Sequence, residues 1–218
     1  MKYIITCSLC LLLHITVRAQ QSNLSFGIKA GINQAGLTGG MIDSLSTGGA
    51  TSKQTGIQIG VSLNHQFSKY CWLKQELFYS LRRVQLQLAD DTHPAYNSPF
   101  RRQSIDLFPA SPTFHYKGFQ VFAGPFISML LTASLQRRDD NGNTYTDKSL
   151  YGTATADNKY SHKFDAGLAA GLEYEFPLGI NIGVRYMRGF VPIIENAAAQ
   201  QQWQIFNQTA AFTVGYSF

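Results

Sequence analysis

Charge is scarce in this chain. Only 14% of its 218 residues are Asp, Glu, Lys or Arg, against a typical ~25%. Cysteine is scarcer still, with three in all, and proline numbers seven. No apolar run reaches the ~18 residues that would mark a membrane helix. Also missing are a phosphate-binding glycine loop, zinc-ligand spacing and a dinucleotide fingerprint. The 18 basic residues against 13 acidic ones form no clustered patch of the nucleic-acid-binding kind. These absences exclude a disulfide-stapled scaffold, a disordered polyelectrolyte and the common nucleotide-binding folds. What the chain has instead is aromatics: 15 Phe, 11 Tyr and 2 Trp.

Residues 1–19 read as an export signal. Lys2 supplies a short positive region, Ile4 to Leu13 an apolar core, and Val17-Arg18-Ala19 a small-residue cleavage site before Gln20. The apolar stretch, about 14 residues, is too short to span a bilayer, which takes ~20. Cys7 and Cys10 lie too early for lipid attachment after cleavage. Loss of Lys2 and Arg18 lowers the formal charge from the +5 of the whole sequence to +3. Cys71 then remains alone, so no internal disulfide can form even in an oxidising compartment. The domain reading is residues 1–19 as a cleaved signal and residues 20–218 as one domain.

Beyond the signal the hydrophobic period is two, as in strands. Leu24, Phe26, Ile28, Ala30 and Ile32 alternate with small or polar residues, as do Ile57, Ile59, Val61 and Leu63. The same holds from Phe164 to Phe176, from Ile180 to Tyr186 and from Phe212 to Phe218. Three stretches are less regular. The apolar phase of Trp72–Leu88 shifts near Arg82-Arg83, which predicts a bulge there. Ile105–Tyr116 contains Pro109 and Pro112, and Phe119–Leu135 contains a Gly124-Pro125 pair expected to bend it. That makes eight expected strands, several long enough to cross a bilayer at the ~9–11 residues this takes.

Short and long connections alternate between them. Ser68-Lys69-Tyr70, Lys117-Gly118 and Pro177-Leu178-Gly179 are tight turns, whereas Asn33–Gln54, Ala89–Gln103, Gln136–His162 and Arg188–Gln201 read as long polar loops. Transmembrane barrels segregate their connections this way. The faces agree with that architecture. Between the apolar positions lie Gly, Ser, Asn, Thr and Gln, a poor exterior for a soluble barrel but a good narrow lumen. Aromatics cluster beside the tight turns: Phe67, Trp72, Phe119, Tyr174, Phe176, Tyr216 and Phe218. Amphipathic rings sit there at headgroup level. The fold class expected is all-β, an eight-stranded antiparallel up-and-down transmembrane β-barrel.

The chain also resembles the PorT-like family of small Bacteroidetes outer-membrane β-barrels over essentially its whole mature length. The resemblance is carried by Phe26-Gly27-Ile28-Lys29-Ala30-Gly31-Ile32-Asn33, by Leu73-Lys74-Gln75-Glu76-Leu77-Phe78-Tyr79-Ser80 and by Ala123-Gly124-Pro125-Phe126. Phe164-Asp165-Ala166-Gly167-Leu168, Arg185-Tyr186 and Val214-Gly215-Tyr216-Ser217-Phe218 complete it. It implies a barrel, an outer-membrane location and, for some members, a link to protein secretion or gliding, but no activity. Phe218 matches the C-terminal signal read by barrel-insertion machinery. Asp106-Leu107-Phe108-Pro109 carries one residue more than the family's acidic–aliphatic–Pro run, so the register of the fourth strand is open.

By parity Lys29, Lys74, Glu76, Arg82, Asp165, Glu173, Glu175 and Arg185 point into the lumen. An eight-stranded interior is just wide enough for side chains to fill, so these charges are expected to pair with one another as a structural network. Catalysis is not expected. His65 and His115 lie near tight turns, while His93 and His162 belong to long loops. Ser161 and His162 are neighbours on a strand and point to opposite faces, which breaks a triad with Asp165. Asp139-Asp140-Asn141-Gly142-Asn143 with Asp147 fails calcium-loop spacing and reads as turn chemistry.

The function expected is a structural or interaction role in a Gram-negative outer membrane, exerted through the extracellular loops. No cofactor, metal or nucleic acid is expected. The partners are outer-membrane lipid and lipopolysaccharide, the insertion machinery at Phe218, and a protein at the loops; Arg101-Arg102 and Arg137-Arg138 read first as solvated loop charge and second as a contact for lipopolysaccharide. Two alternatives stand beside this. One is an outer-membrane lipid-modifying enzyme built on His93 or His162. The other is a soluble periplasmic barrel of lipocalin type, with its apolar face turned inward around a ligand.

Overall fold

The computed structural model describes residues 23–40, 42, 46–47, 51–90, 93–139, 141–148, 161–193 and 204–218. The export signal and its cleavage site lie outside the described residues, as do residues 149–160 of the expected loop Gln136–His162 and the side chain of His93. Nine strands follow one another: β1 (Leu24–Thr38), β2 (Thr51–Gln66), β3 (Cys71–Asp90), β4 (His93–Tyr116), β5 (Phe119–Arg138), β6 (Thr144–Asp147), β7 (Phe164–Glu175), β8 (Ile180–Gly189) and β9 (Phe206–Ser217). All pairings are antiparallel. The order β4-β3-β2-β1-β9-β8-β7-β5 is closed by a β4–β5 pairing, which makes a ring of eight strands. The ninth, β6, lies outside the ring and pairs only with the last residues of β5 at its long-loop end, from Leu135↔Asp147 to Arg138↔Thr144.

Strands run further than the hydrophobic pattern suggested. Most of the expected loop Ala89–Gln103 is strand, because β3 and β4 stay paired through Val84↔Phe100, Leu86↔Ser98 and Leu88↔Tyr96. Their inward side chains gain a reason to continue. Val84, Leu86 and Phe100 join Ala35, Leu37, Leu130, Ala133, Leu135, Ile193 and Ile205 in an apolar cluster at the long-loop end of the ring. β6 likewise falls inside a stretch expected to be loop.

The bulges are placed by packing. The one expected in β3 lies on its partner: Gln54 pairs with Arg83 and Ile57 with Leu81, so Thr55 and Gly56 face the single Arg82. β3 itself alternates without a break, with Lys74, Glu76, Phe78, Ser80, Arg82, Val84 and Leu86 all buried. In β4 the extra residue falls where the register was open: Glu76 pairs with Phe108 but Lys74 with Ser111. Against β4, β5 has two irregularities: one at Leu131, between Gln103↔Thr132 and Ser104↔Leu130, and one between Leu107↔Ile127 and Thr113↔Phe122, which spans the expected Gly124-Pro125, although that pair stays in register with Ala169 and Leu168 of β7.

The two faces of the sheet are opposite in chemistry. Outward are Phe26, Ile28, Ile32, Ile57, Ile59, Val61, Leu77, Val121, Ile127, Leu168, Leu172, Ile182, Val184, Phe212 and Val214, each exposed. Inward are buried Asn33, Gln58, Ser62, Asn64, Gln120, Ser128, Asn181 and Thr213 together with most of the charges described below. A protein dissolved in water would hide the first set. A lipocalin-like cavity requires the reverse arrangement.

Candidate functional site

The inner wall is where charge collects, and strand parity places it there. Lys29 of β1 donates to Glu76 Oε1 of β3 at 2.9 Å and also to Glu173 Oε2 of β7. Lys74 lies 3.1 Å from Glu173 Oε1, and Arg185 of β8 donates to Glu76 Oε2. Five of the eight expected lumen residues thus form one network drawn from four strands. The Lys29, Lys74, Glu76 and Glu173 side chains are each at most 3% exposed, so side chains fill the lumen at this level. The Arg185 guanidinium lies 4.1 Å from the Phe108 ring, with Phe78 and Phe122 at 5.3 and 5.1 Å. Lys74 lies 4.6 Å over Phe122. Ring faces carry negative quadrupole and take up cations in such a dry site.

Arg82 belongs to a second group. It donates to Asp106 Oδ2 at 2.6 Å and to Ser104 Oγ at 2.7 Å, and Asp106 accepts further bonds from Ser80 and Ser128, each 2.6 Å. Sequence reading missed Asp106 and Arg102, although the same two-residue period in β4 puts both on the face of Ser104. Asp165 sits apart, accepting from Asn207 Nδ2 at 2.8 Å, while Arg102 donates to Asn207 Oδ1. Glu175 is half-buried at the tight-turn rim and accepts from Gln120 Nε2 at 2.9 Å. The inward charges named here balance, five cations (Lys29, Lys74, Arg82, Arg102, Arg185) against five carboxylates (Glu76, Asp106, Asp165, Glu173, Glu175).

The rim aromatics divide. Phe67, Phe119, Phe176, Tyr216 and Phe218 are exposed on the outer face. Phe119 packs on Tyr174 with ring centroids 4.7 Å apart, Tyr174 on Phe176 at 4.8 Å, and Tyr216 on Phe218 at 5.1 Å. Trp72 departs from the expectation. It shares the inward parity of Lys74, is half-buried and stacks on His115 at 4.1 Å, capping the lumen from the tight-turn side.

The other candidates have plain roles. Asp139 Oδ1 accepts from the backbone N–H groups of Asn141 and Asn143 at 3.0 and 2.7 Å, an Asx turn. Among the described residues no group of His, Cys, Asp and Glu is arranged to hold a metal ion. The double arginines expected on the surface are split by the sheet. Arg102 faces inward to Asn207, and Arg137 pairs with Asp147 at 3.1 Å.

A strand ring with an apolar exterior and a neutralised polar interior has known relatives. Residues 18–195 match the outer membrane protein β-barrel domain. The chain belongs to this family. No curated protein matches the barrel by sequence. Among solved structures it is similar to Ail of Yersinia pestis, seen with the heparin analogue sucrose octasulfate, at 12% identity and a TM-score of 0.46 over 89% of this chain and 99% of that one. It is similar to Neisserial surface protein A at 13% identity and 0.46 over 90% and 98%, and to OprG from Pseudomonas aeruginosa at 14% and 0.41 over 89% and 95%.

Proposed function

We propose that this barrel is integral to the outer membrane of a Gram-negative bacterium, exported by residues 1–19, and acts through its surface loops as a structural or interaction protein of the PorT-like kind, with a link to secretion. One observation carries the reading. An exposed apolar wall encloses an interior that is charge-balanced and filled, which suits lipid outside and neither flow nor chemistry within. Residues of both ring ends support it, with Trp72 and His115 at the tight-turn end and the Leu86–Ile205 cluster at the other. In this reading the insertion machinery recognises Phe218, which is exposed just after β9. Outer-membrane lipid and lipopolysaccharide are its immediate surroundings, and a protein partner meets the loops.

The test is gel mobility of protein extracted from outer membranes, unboiled against boiled. A folded barrel that resists cold detergent migrates differently after boiling, and that is the outcome expected. Recovery in the soluble fraction without a shift would overturn the reading. For the non-enzymatic part, replacing His93 and His162 is expected to leave lipid A species unchanged.

A further inference from the structure

Arg82-Arg83 of β3 lies directly opposite Arg101-Arg102 of β4, in the register Arg82↔Arg102 and Arg83↔Arg101. Parity therefore makes two arginine pairs from two consecutive contacts, one on each side of the wall. Like charges directly opposite one another destabilise a sheet. On the inner side the repulsion is relieved, because Arg82 has Asp106 and Arg102 has Asn207. On the outer side no carboxylate forms an ion pair with Arg83 or Arg101 among the described residues, and Arg83 Nε is shut from solvent without a hydrogen-bond acceptor.

The outer pair lines a cavity of about 530 Å³ on the flank of the barrel. Lys148, just past β6, adds a third cation to it, and Gln103, Thr132 and Ser134 add neutral polar groups. Ser134 is the β5 partner of Arg101, and Thr132 that of Gln103. The position is specific. Leu81, one step below Arg83 on the same face, lines the lower wall, and Ile105 and Tyr79 continue the apolar band beneath it. The cavity thus sits where hydrocarbon gives way to headgroups and opens sideways, away from the lumen.

We propose that this pocket binds the phosphate of an outer-leaflet glycolipid headgroup. Two planar guanidinium forks match phosphate oxygens bidentately, the ammonium adds charge, and the hydroxyl and amide groups take remaining oxygens. The volume exceeds that of a bare phosphate and leaves space for the sugar that bears it. A lateral opening at headgroup depth delivers a lipid-borne phosphate rather than a dissolved one. The proposal rests on the outer-membrane reading above.

The experiment uses the mature barrel in phosphatidylcholine nanodiscs doped with lipid A or with dephosphorylated lipid A, and measures lipid retained by native mass spectrometry. The wild type is expected to prefer the phosphorylated form. Arg83→Gln and Arg101→Gln are each expected to weaken retention about tenfold, as loss of a charge-assisted contact does, while Lys69→Gln, in the tight turn at the opposite end of the ring, leaves it unchanged. Equal retention of both lipids, or variants that retain lipid A like the wild type, would overturn the site. Displacement by millimolar inorganic phosphate as effective as by lipid A would overturn the lipid assignment. Every sample is also run unboiled and boiled. A shift without phosphate preference sinks the pocket alone, whereas no shift for the wild type sinks the outer-membrane reading and the pocket with it.

Discussion

Glu76 is the residue on which the lumen network turns, since it takes both Lys29 and Arg185. Removing one member of a buried ion pair leaves an uncompensated charge and costs about 3–5 kcal/mol. Glu76→Ala is therefore expected to lower the temperature at which the unboiled gel band converts to the unfolded one, and Arg185→Ala likewise. Unchanged conversion temperatures for both would refute the network's structural role. Arg185→Lys separates two contributions. It keeps the positive charge but loses the flat guanidinium packed on Phe108 and its neighbours, so its conversion temperature should fall between those of the wild type and Arg185→Ala.

Strands were legible where their two faces differ in a constant way, as in β1, β7, β8 and β9. β3 was misread for an instructive reason. Its inward face passes from Lys74 and Glu76 through Phe78 and Arg82 to Val84 and Leu86, so apolar residues appear on the inner parity and imitate a slip of register. Pattern reading assumes one chemistry per face, and this interior has two. The same change hid the upper part of β4, where outward Arg101 and Gln103 resembled loop, and it hid Asp106, whose partner Arg82 is on another strand. Trp72 was assigned outward because its type suits an interface, although its parity with Lys74 was already visible. At this scale the seam between β1 and β9 can be tested. A Cβ on Gly31 would lie 2.0 Å from the Phe212 carbonyl oxygen, closer than any side chain tolerates. Gly31→Val is expected to abolish the folded gel band, and its survival would show that the seam yields. At the other end, Ile205→Ala opens a cavity in the apolar cluster and is expected to cost about 2–5 kcal/mol, read as an earlier unfolding midpoint in denaturant.

For the molecule as a whole, filling decides what crosses it. With Lys74 and Phe78 buried at 0% and 1% exposure in mid-lumen, vesicles carrying the barrel are expected to swell in small sugars no faster than empty ones. Swelling at a porin-like rate would contradict the packing. The closed strand order has a further consequence, for a chain that has been cut. In an open sheet, severing a connection can release a strand at an edge. Here every ring strand keeps two neighbours after any single break outside the strands, because β9 is tied to β1 from Gly27↔Ser217 to Thr38↔Phe206 and β4 to β5. A hoop cut between its staves remains a hoop. Protease clipped at one exposed loop should therefore yield two polypeptides that travel as one body in cold detergent and part company only when heated, so that cohesion here outlives chain continuity.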